Sequence, residues 1–211
     1  GVSPGRDSYR GDMFFAHSSL LERAGRLDSN GAHLTSIPLV NAAGGDITAY
    51  LPTNIMSITD GQWILDMSTF RDGIRPALSM GLSVTRVGGV GHQKRQKELA
   101  ATTLKTLAAY REAEEFSHFG SELALEAKRA LETGKLIFKV LTQSPNQVFS
   151  FMAQQLMLDI ILNRSDNDQI DVVKLQKHAG EIADEVKDDS DEAYENAKNK
   201  LKNMSVVELK K

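Results

Sequence analysis

The stretch Gly81-Leu82-Ser83-Val84-Thr85-Arg86-Val87-Gly88 places an arginine directly after a β-type run and before a glycine-rich turn. A strand is predicted over the run, with Arg86 at its end, held rigidly and facing outward. Such a guanidinium suits phosphate, because it is planar, always charged and able to bond bidentately. On the pattern alone, an ordinary surface ion pair is favoured over a phosphate contact.

The residues before this stretch alternate between turn residues and short apolar runs. Every proline except Pro145 lies before residue 93. Three short strands are predicted where Ile, Leu, Val and Thr are frequent, over residues 34–40, 47–51 and 62–66. One early helix is predicted over 18–26. Residues 1–92 are therefore predicted to form a mixed α/β segment.

Beyond Gln93 the apolar residues recur every three or four positions, which is typical of amphipathic helices. Three helices are predicted: one that includes Leu99 to Glu114, one from Ser121 to Gln143, and one from Val148 to Leu162. Ser121 is predicted to be the N-cap of the second helix. Residues 93–164 are thus predicted to form an all-α domain.

The tail, residues 165–211, holds 12 acidic and 8 basic side chains. The pattern predicts a helical hairpin as an acidic extension, with Ser190 or Asp191 capping its second helix. A solvated charged surface is favoured over a binding function for the acidic run Asp188-Asp189-Ser190-Asp191-Glu192.

Length and composition exclude several classes of protein. The chain has 211 residues, 41% hydrophobic and 25% charged, with a net charge of -3 and no cysteine. These values argue against a disordered chain, a disulfide scaffold, a cysteine–zinc site and a dedicated nucleic-acid binder. No apolar run is long enough for a transmembrane helix, and no signal peptide is recognised. Because the chain starts at Gly1 rather than at Met, a processed product, a split chain or a fragment is expected.

Two motifs that suggest catalysis are incomplete. Gly134-Lys135 lacks the earlier glycine and the following Ser or Thr of a phosphate-binding loop, and it lies within a predicted helix. Gly88-Gly89-Val90-Gly91 lacks the spacing of a dinucleotide-binding loop, so a tight turn is favoured. The five histidines are scattered without metal-ligand spacing. No self-contained catalytic centre is predicted.

Four blocks of sequence resemble the C-terminal part of the α subunit of F-type ATP synthases. They occur in the family's order: Pro4–Asp12 with His17–Ala24, Tyr50–Gln62, Gly73–Ala77 with Gly81–Gly88, and Tyr110–Glu112 with Phe116 and Phe119–Leu123. The resemblance implies the C-terminal part of a RecA-like P-loop NTPase domain over 1–92, without its phosphate loop, followed by the α-helical C-terminal domain.

This resemblance also implies partners and a place in the cell. In the family, three α and three β subunits alternate around a γ shaft, and β carries the main catalytic site. The expected partners are therefore β, γ and the N-terminal part of α, with no nucleic acid. The membrane contact is expected only through the complex, at a mitochondrial inner membrane on its matrix side or at a bacterial plasma membrane on its cytoplasmic side. The chain alone is not expected to be catalytic.

The resemblance further implies roles for individual residues. Arg86 resembles the arginine finger that reaches the γ-phosphate bound on β, and Ser57 and Ser83 resemble the serines near that interface. Four residues resemble the adenine pocket of the α subunit's own site: Arg75, Pro76, Gln143 and Gln147. The implied cofactor is ATP or ADP with Mg, whose ligands lie outside this chain.

Some features depart from the family pattern. The segment Gln143–Ser150 is rearranged relative to the family's glutamine pair, and beyond Arg164 no family motif is recognised. One alternative is a non-enzymatic scaffold derived from the α-subunit fold. Another is a rotary ATPase homologue with altered coupling, which has the same motifs.

Overall fold

The computed structural model describes residues 2–117, 125–166 and 168–204, together with the backbone of 207–209. The chain divides into two compact units. The first comprises Gly1–Ser68 and Leu78–Gly88, and the second comprises Thr69–Ala77 and Gly89–Lys211.

Helices dominate the described residues. The helices are α1 (Met13–Leu21), α2 (Tyr50–Ile58), α3 (Met67–Arg71), α4 (Lys94–Ser117), α5 (Leu125–Leu141), α6 (Phe151–Leu162), α7 (Val172–Glu185) and α8 (Asp191–Lys202). The strands are β1 (Gly25–Arg26), β2 (His33–Leu34), β3 (Gly61–Gln62), β4 (Val84–Thr85), β5 (Asp168–Ile170) and β6 (Val207–Leu209). They form three antiparallel pairs, β1 with β2, β3 with β4 and β5 with β6.

The early helix lies earlier in the sequence than predicted. It begins at Met13 and ends at Leu21, whereas the apolar spacing predicts 18–26. The backbone N–H of Ala24 bonds the Leu21 carbonyl in a turn, and Gly25 enters β1 directly after it. Pairing of β1 with β2 therefore ends the helix before residue 25.

The predicted strand over 47–51 is wrong. The Asp46 carboxylate accepts hydrogen bonds from the Thr48 backbone N–H at 2.8 Å and from its hydroxyl at 2.6 Å, which makes a turn. α2 then begins at Tyr50, with Pro52 in its first turn. Proline is tolerated there because the first N–H groups of a helix have no intrahelical partner.

The strand predictions around residues 34 and 62 are too long. Only Leu34 of the first run lies in a strand, since Pro38 has no N–H and Leu39 is 93% exposed. Of the second run, only Gln62 is in β3, and the chain beyond it makes a single bridge between Leu65 and Leu78.

The second unit is built around a helical core. Its fully buried large side chains come from α5, α6, α7 and α8: Ile137, Val140, Leu156, Met157, Ile161, Leu175, Tyr194 and Leu201. α4 adds Leu107 and Ala113 to the buried residues. The hairpin formed by α7 and α8 therefore packs into the same core as the preceding helices, through one face of each helix.

Serine caps begin two of these helices. The Ser190 hydroxyl accepts from the Ala193 N–H at 3.2 Å, which confirms Ser190 as the N-cap of α8. Ser150 caps α6 in the same way, so the helix begins at Phe151, three residues after the predicted start at Val148. The predicted cap Ser121 lies outside the described residues.

A close contact joins α4 and α5. A Cβ added to Gly134 would lie 2.4 Å from the Tyr110 ring, so the two helices approach at a position that only glycine allows. The Tyr110 hydroxyl donates to Glu114 at 2.6 Å. Burial and this hydrogen bond raise the pKa of Tyr110 to about 12. Gly134 therefore serves helix packing.

A polar cluster centred on Arg95 ties the start of α4 to the start of α8. The Arg95 guanidinium bonds Asp189 at 2.8 Å and Asp191 at 3.0 Å, and it also bonds the Gln155 side-chain oxygen on α6. It stacks 3.8 Å from the centre of the Tyr194 ring. Burial lowers the pKa of Arg95, but the hydrogen bonds with the two aspartates outweigh it and leave the pKa raised. We call these five residues the Arg95 cluster.

Candidate functional site

Arg86 is held by the backbone at the end of α2. Its Nη1 donates to the Ser57 carbonyl at 3.1 Å and its Nη2 to the Met56 carbonyl at 2.9 Å. Its own backbone N–H donates to the Asp60 carbonyl at 2.7 Å. Carbonyls in the last turn of a helix lack intrahelical partners and carry partial negative charge, so they attract a cation. The Arg86 side chain is exposed to solvent, and these hydrogen bonds fix the direction of its guanidinium.

The two serines that resemble interface residues, Ser57 and Ser83, make different hydrogen bonds around Arg86. Ser57 lies in the last turn of α2, where its hydroxyl donates to the Asn54 carbonyl at 2.7 Å while its own carbonyl accepts from Arg86. The Ser83 hydroxyl accepts from the Ile64 N–H at 3.0 Å, just before β4. The structure thus brings Ser57 to Arg86 through the backbone and uses Ser83 to anchor the strand that precedes Arg86.

Gly61 allows β4 to lie close to β3. A Cβ at Gly61 would lie 2.7 Å from the Val84 carbonyl oxygen and 3.1 Å from the Thr85 Cα. In the sequence, the pair Asp60-Gly61 is typical of a turn. Gly61 also lets β4, the strand that leads to Arg86, approach β3 closely. This role depends on which strand pairs with β3, so the local sequence pattern does not predict it.

Arg75 is fixed by its own neighbourhood in the second unit. Its Nη1 donates to the carbonyls of Phe70 at 2.6 Å and Ile74 at 2.9 Å, and the guanidinium lies 3.5 Å from the centre of the Phe70 ring. The peptide bond from Arg75 to Pro76 is cis. Phe70 is a further candidate residue that the sequence pattern does not indicate, because only the fold stacks its ring on Arg75.

The structure brings Arg75 and Gln143 together. The Gln143 backbone N–H donates to the Arg75 carbonyl at 2.8 Å. Gln143 belongs to a segment after α5 that we call the glutamine loop (residues 142–147). In this loop the Gln147 side-chain oxygen accepts from the Ser144 N–H at 3.3 Å, so Gln147 closes the turn. Two of the residues predicted to line an adenine pocket are thus neighbours, and a third, Gln147, shapes the loop to which Gln143 belongs.

Within 2–117, 125–166 and 168–204, no group of three or more His, Asp or Glu side chains is placed to hold a metal ion. No helix in the described part of the chain is long and apolar enough to cross a membrane.

Two family models match nearly the whole chain. Residues 1–85 match the nucleotide-binding domain of the ATP synthase alpha/beta family, and residues 93–211 match the C-terminal domain of the ATP synthase alpha/beta chain. The predicted fold class, part of a nucleotide-binding domain followed by the helical C-terminal domain, is confirmed. The second match continues to residue 211, so the family's C-terminal domain includes the acidic tail, in which the sequence alone shows no family motif.

Individual relatives agree with these matches. The chain is 39% identical to ATP synthase subunit alpha of Clostridium kluyveri over 98% of its own length and 44% of the relative. It is 41% identical to the subunit alpha of Acholeplasma laidlawii over 84% of this chain and 36% of the relative. A third, subunit alpha of Clostridium botulinum, is 42% identical over 86% of this chain and 37% of the relative.

All three relatives are bacterial proteins, and the chain spans less than half the length of each. The resemblance to the C-terminal part of an alpha subunit is thereby confirmed at the level of sequence. With both domain matches and these relatives, the chain belongs to the ATP synthase alpha/beta family.

Proposed function

We propose that this chain acts as the C-terminal portion of the non-catalytic α subunit of an F-type ATP synthase. In this role Arg86 is the arginine finger that reaches the γ-phosphate on a neighbouring β subunit, during proton-coupled synthesis or hydrolysis of ATP. The observation that supports the proposal most directly is the pair of hydrogen bonds from the Arg86 guanidinium to the Met56 and Ser57 carbonyls.

The geometry suits a finger because it fixes the guanidinium without using all of its donors. An arginine has five N–H donors in a rigid plane. Two of them bond the end of α2, so the others remain for phosphoryl oxygens. A guanidinium that is already oriented stabilises the charge spreading over the transferring group without reorganising. Arginine fingers in related chemistry are worth about 10³–10⁵ in rate.

A second part of the proposal is a bound ATP or ADP near Arg75, Pro76 and Gln143. The bond between the Gln143 N–H and the Arg75 carbonyl supports it, because it holds the backbones of an arginine and a glutamine together. An amide can read the edge of adenine through one donor and one acceptor. Gln147 contributes by closing the glutamine loop. The Mg ligands come from outside this chain.

The proposed partners are β, γ and the N-terminal part of α. In the first unit an apolar groove of about 380 Å³ lies between α1, α2 and residues 38–41. Phe15 and Leu39 are exposed in the same unit. Exposed apolar patches mark surfaces that another protein covers, and we assign this one to the N-terminal part of α. The chain reaches the energy-transducing membrane through the complex.

Replacing Arg86 tests the proposed function directly. In the assembled complex, Arg86→Ala is expected to lower multisite ATP hydrolysis by about 10³-fold or more, measured as kcat at saturating MgATP. Arg86→Lys is expected to lose most of the rate too, because lysine is a point charge without the planar fork. Arg26→Ala, at the last residue of β1 in the same unit, is the matched control and keeps the rate.

Two outcomes would contradict the proposal. Near-normal turnover of Arg86→Lys would exclude a finger at this position. Purification of the tagged chain with unrelated partners and without nucleotide would favour the scaffold instead, whereas recovery of β and γ with ATPase activity supports the synthase.

A further inference from the structure

Gln176, in the middle of α7, bonds the end of a different helix. Its side-chain amide donates to the Val140 carbonyl at 2.9 Å and to the Thr142 carbonyl at 3.4 Å. Val140 lies in the last turn of α5, and Thr142 is the first residue of the glutamine loop. The C-terminal hairpin thus contacts the backbone that leads directly into Gln143.

α5 needs this external donor because the following N–H groups are used elsewhere. In a continuing helix the Val140 carbonyl would accept from the N–H of Ser144. That N–H donates instead to the Gln147 side chain, and the N–H of Gln143 donates to the Arg75 carbonyl. Val140 is fully buried, so water cannot reach its carbonyl. A buried carbonyl without a partner is costly, and the Gln176 amide satisfies it.

We propose that Gln176 is a positioning residue for the adenine base. It holds the end of α5 so that the Gln143 N–H stays on the Arg75 carbonyl and the Gln143 side chain starts from a fixed point. The inference rests on the proposed nucleotide site at Arg75 and Gln143. It gives the acidic hairpin a part in that site, which the charge pattern of the tail does not indicate.

A residue in this position affects the base more than the phosphates. The phosphate loop of the family lies outside this chain, so phosphate contacts do not depend on the glutamine loop. Adenine and guanine differ in the donors and acceptors of one ring edge, and an amide distinguishes them only when its orientation is fixed. Loss of the Gln176 bond should therefore weaken ATP binding more than GTP binding.

The test uses the assembled complex and 2-azido-ATP, whose photoreactive group is on the adenine. Labelling of peptides 70–77 and 142–147 is competed with ATP and, separately, with GTP. Gln176→Met keeps the length of the side chain and removes its donor. It is expected to raise the ATP concentration that halves labelling by about three- to tenfold, the range for one hydrogen bond, and the GTP concentration by less.

Two further variants show whether the donor itself matters. Gln176→Lys restores an N–H donor and is expected to recover part of the ATP competition. Gln154→Met is the matched control, because the Gln154 amide also donates to a backbone carbonyl in the same unit, that of Phe149 at 3.0 Å. It is expected to leave both competition curves unchanged.

Arg75→Ala distinguishes a failure of the inference about Gln176 from a failure of the proposed nucleotide site. If Arg75→Ala abolishes labelling while Gln176→Met behaves like Gln154→Met, the inference about Gln176 is wrong and the nucleotide site stands. Equal loss of ATP and GTP competition in Gln176→Met, without recovery in Gln176→Lys, would also overturn it. If Arg75→Ala leaves labelling unchanged, the proposed site itself is wrong, and the role of Gln176 falls with it.

Discussion

At the scale of single residues, Gly134 shows how a motif-like pair can serve packing. The sequence Gly134-Lys135 resembles the end of a phosphate loop, yet Gly134 is buried in the middle of α5 against the Tyr110 ring. Helical glycine usually lowers stability relative to alanine. Here the missing Cβ allows α4 and α5 to approach, so the helix tolerates that cost.

Gly134→Ala is expected to destabilise the chain by about 1–3 kcal/mol, because the new methyl group overlaps the Tyr110 ring. Denaturant unfolding followed by far-UV circular dichroism measures the change. The matched control is Gly180→Ala in α7, where an added Cβ meets open space and the change is expected to be neutral or stabilising by up to about 1 kcal/mol. Equal stability of the two variants would show that the ring moves aside without cost.

At the scale of secondary structure, serine caps set the start of helices in the second unit. Ser190 follows Asp188, whose carboxylate accepts from the Ser190 N–H at 2.9 Å and from its hydroxyl at 2.5 Å. These hydrogen bonds hold the pKa of Asp188 below its usual range, and the bond from the Ser190 hydroxyl contributes most. Because the folded pKa is lowered, the stabilisation is present above the unfolded pKa and is lost as the pH falls through the folded value.

Ser190→Ala is expected to cost about 1 kcal/mol of unfolding free energy, the usual value for losing an N-cap. Ser190→Asn, which keeps an oxygen acceptor for the Ala193 N–H, is expected to retain most of the stability. Thermal unfolding of the two variants beside the parent chain measures both. A loss in Ser190→Asn as large as in Ser190→Ala would mean that the hydroxyl acts through Asp188 rather than as a cap.

At the scale of the whole molecule, the Arg95 cluster connects residues that are far apart in the sequence. It joins the start of α4 to α6 and to the loop before α8. The Arg95 side chain is only 14% exposed, so its removal leaves Asp189 and Gln155 without their cation. Two aspartates of the acidic run, Asp189 and Asp191, therefore make ion pairs within the fold.

Arg95→Met keeps much of the side-chain volume and is expected to lower the unfolding free energy by about 2 kcal/mol, since the buried Gln155 side-chain oxygen loses its donor and Asp189 keeps the Gln96 amide but loses its cation. Lys94→Met is the neighbouring control, because Lys94 is exposed and lies 3.9 Å from Glu98. A change within about 0.5 kcal/mol is expected there. Chemical denaturation of both variants is the measurement. Similar small losses in both would show that Tyr194 and the apolar core hold the hairpin without the cluster.

The sequence predicts best what depends on local pattern or on a preserved motif. The helical period locates α4, α5 and α6, the tail pattern predicts the hairpin with its cap at Ser190 or Asp191, and the motif order identifies the family. The strand over 47–51 failed because Asp46 and Pro52 favour a turn and a helix start over β propensity. The bonds of Gln143 to Arg75 and of Gln176 to Val140 join backbone groups of distant segments, and no residue pattern encodes them.

The unequal burial of the two units has a calorimetric consequence. Among the described residues, the buried hydrophobic side chains other than Pro52 belong to the second unit, while α1 in the first unit is exposed or half-buried throughout. The heat-capacity increment of unfolding comes mainly from apolar surface that becomes hydrated. Most of that increment therefore belongs to the helices after residue 89, and a heat-induced transition of the free chain reports chiefly on them.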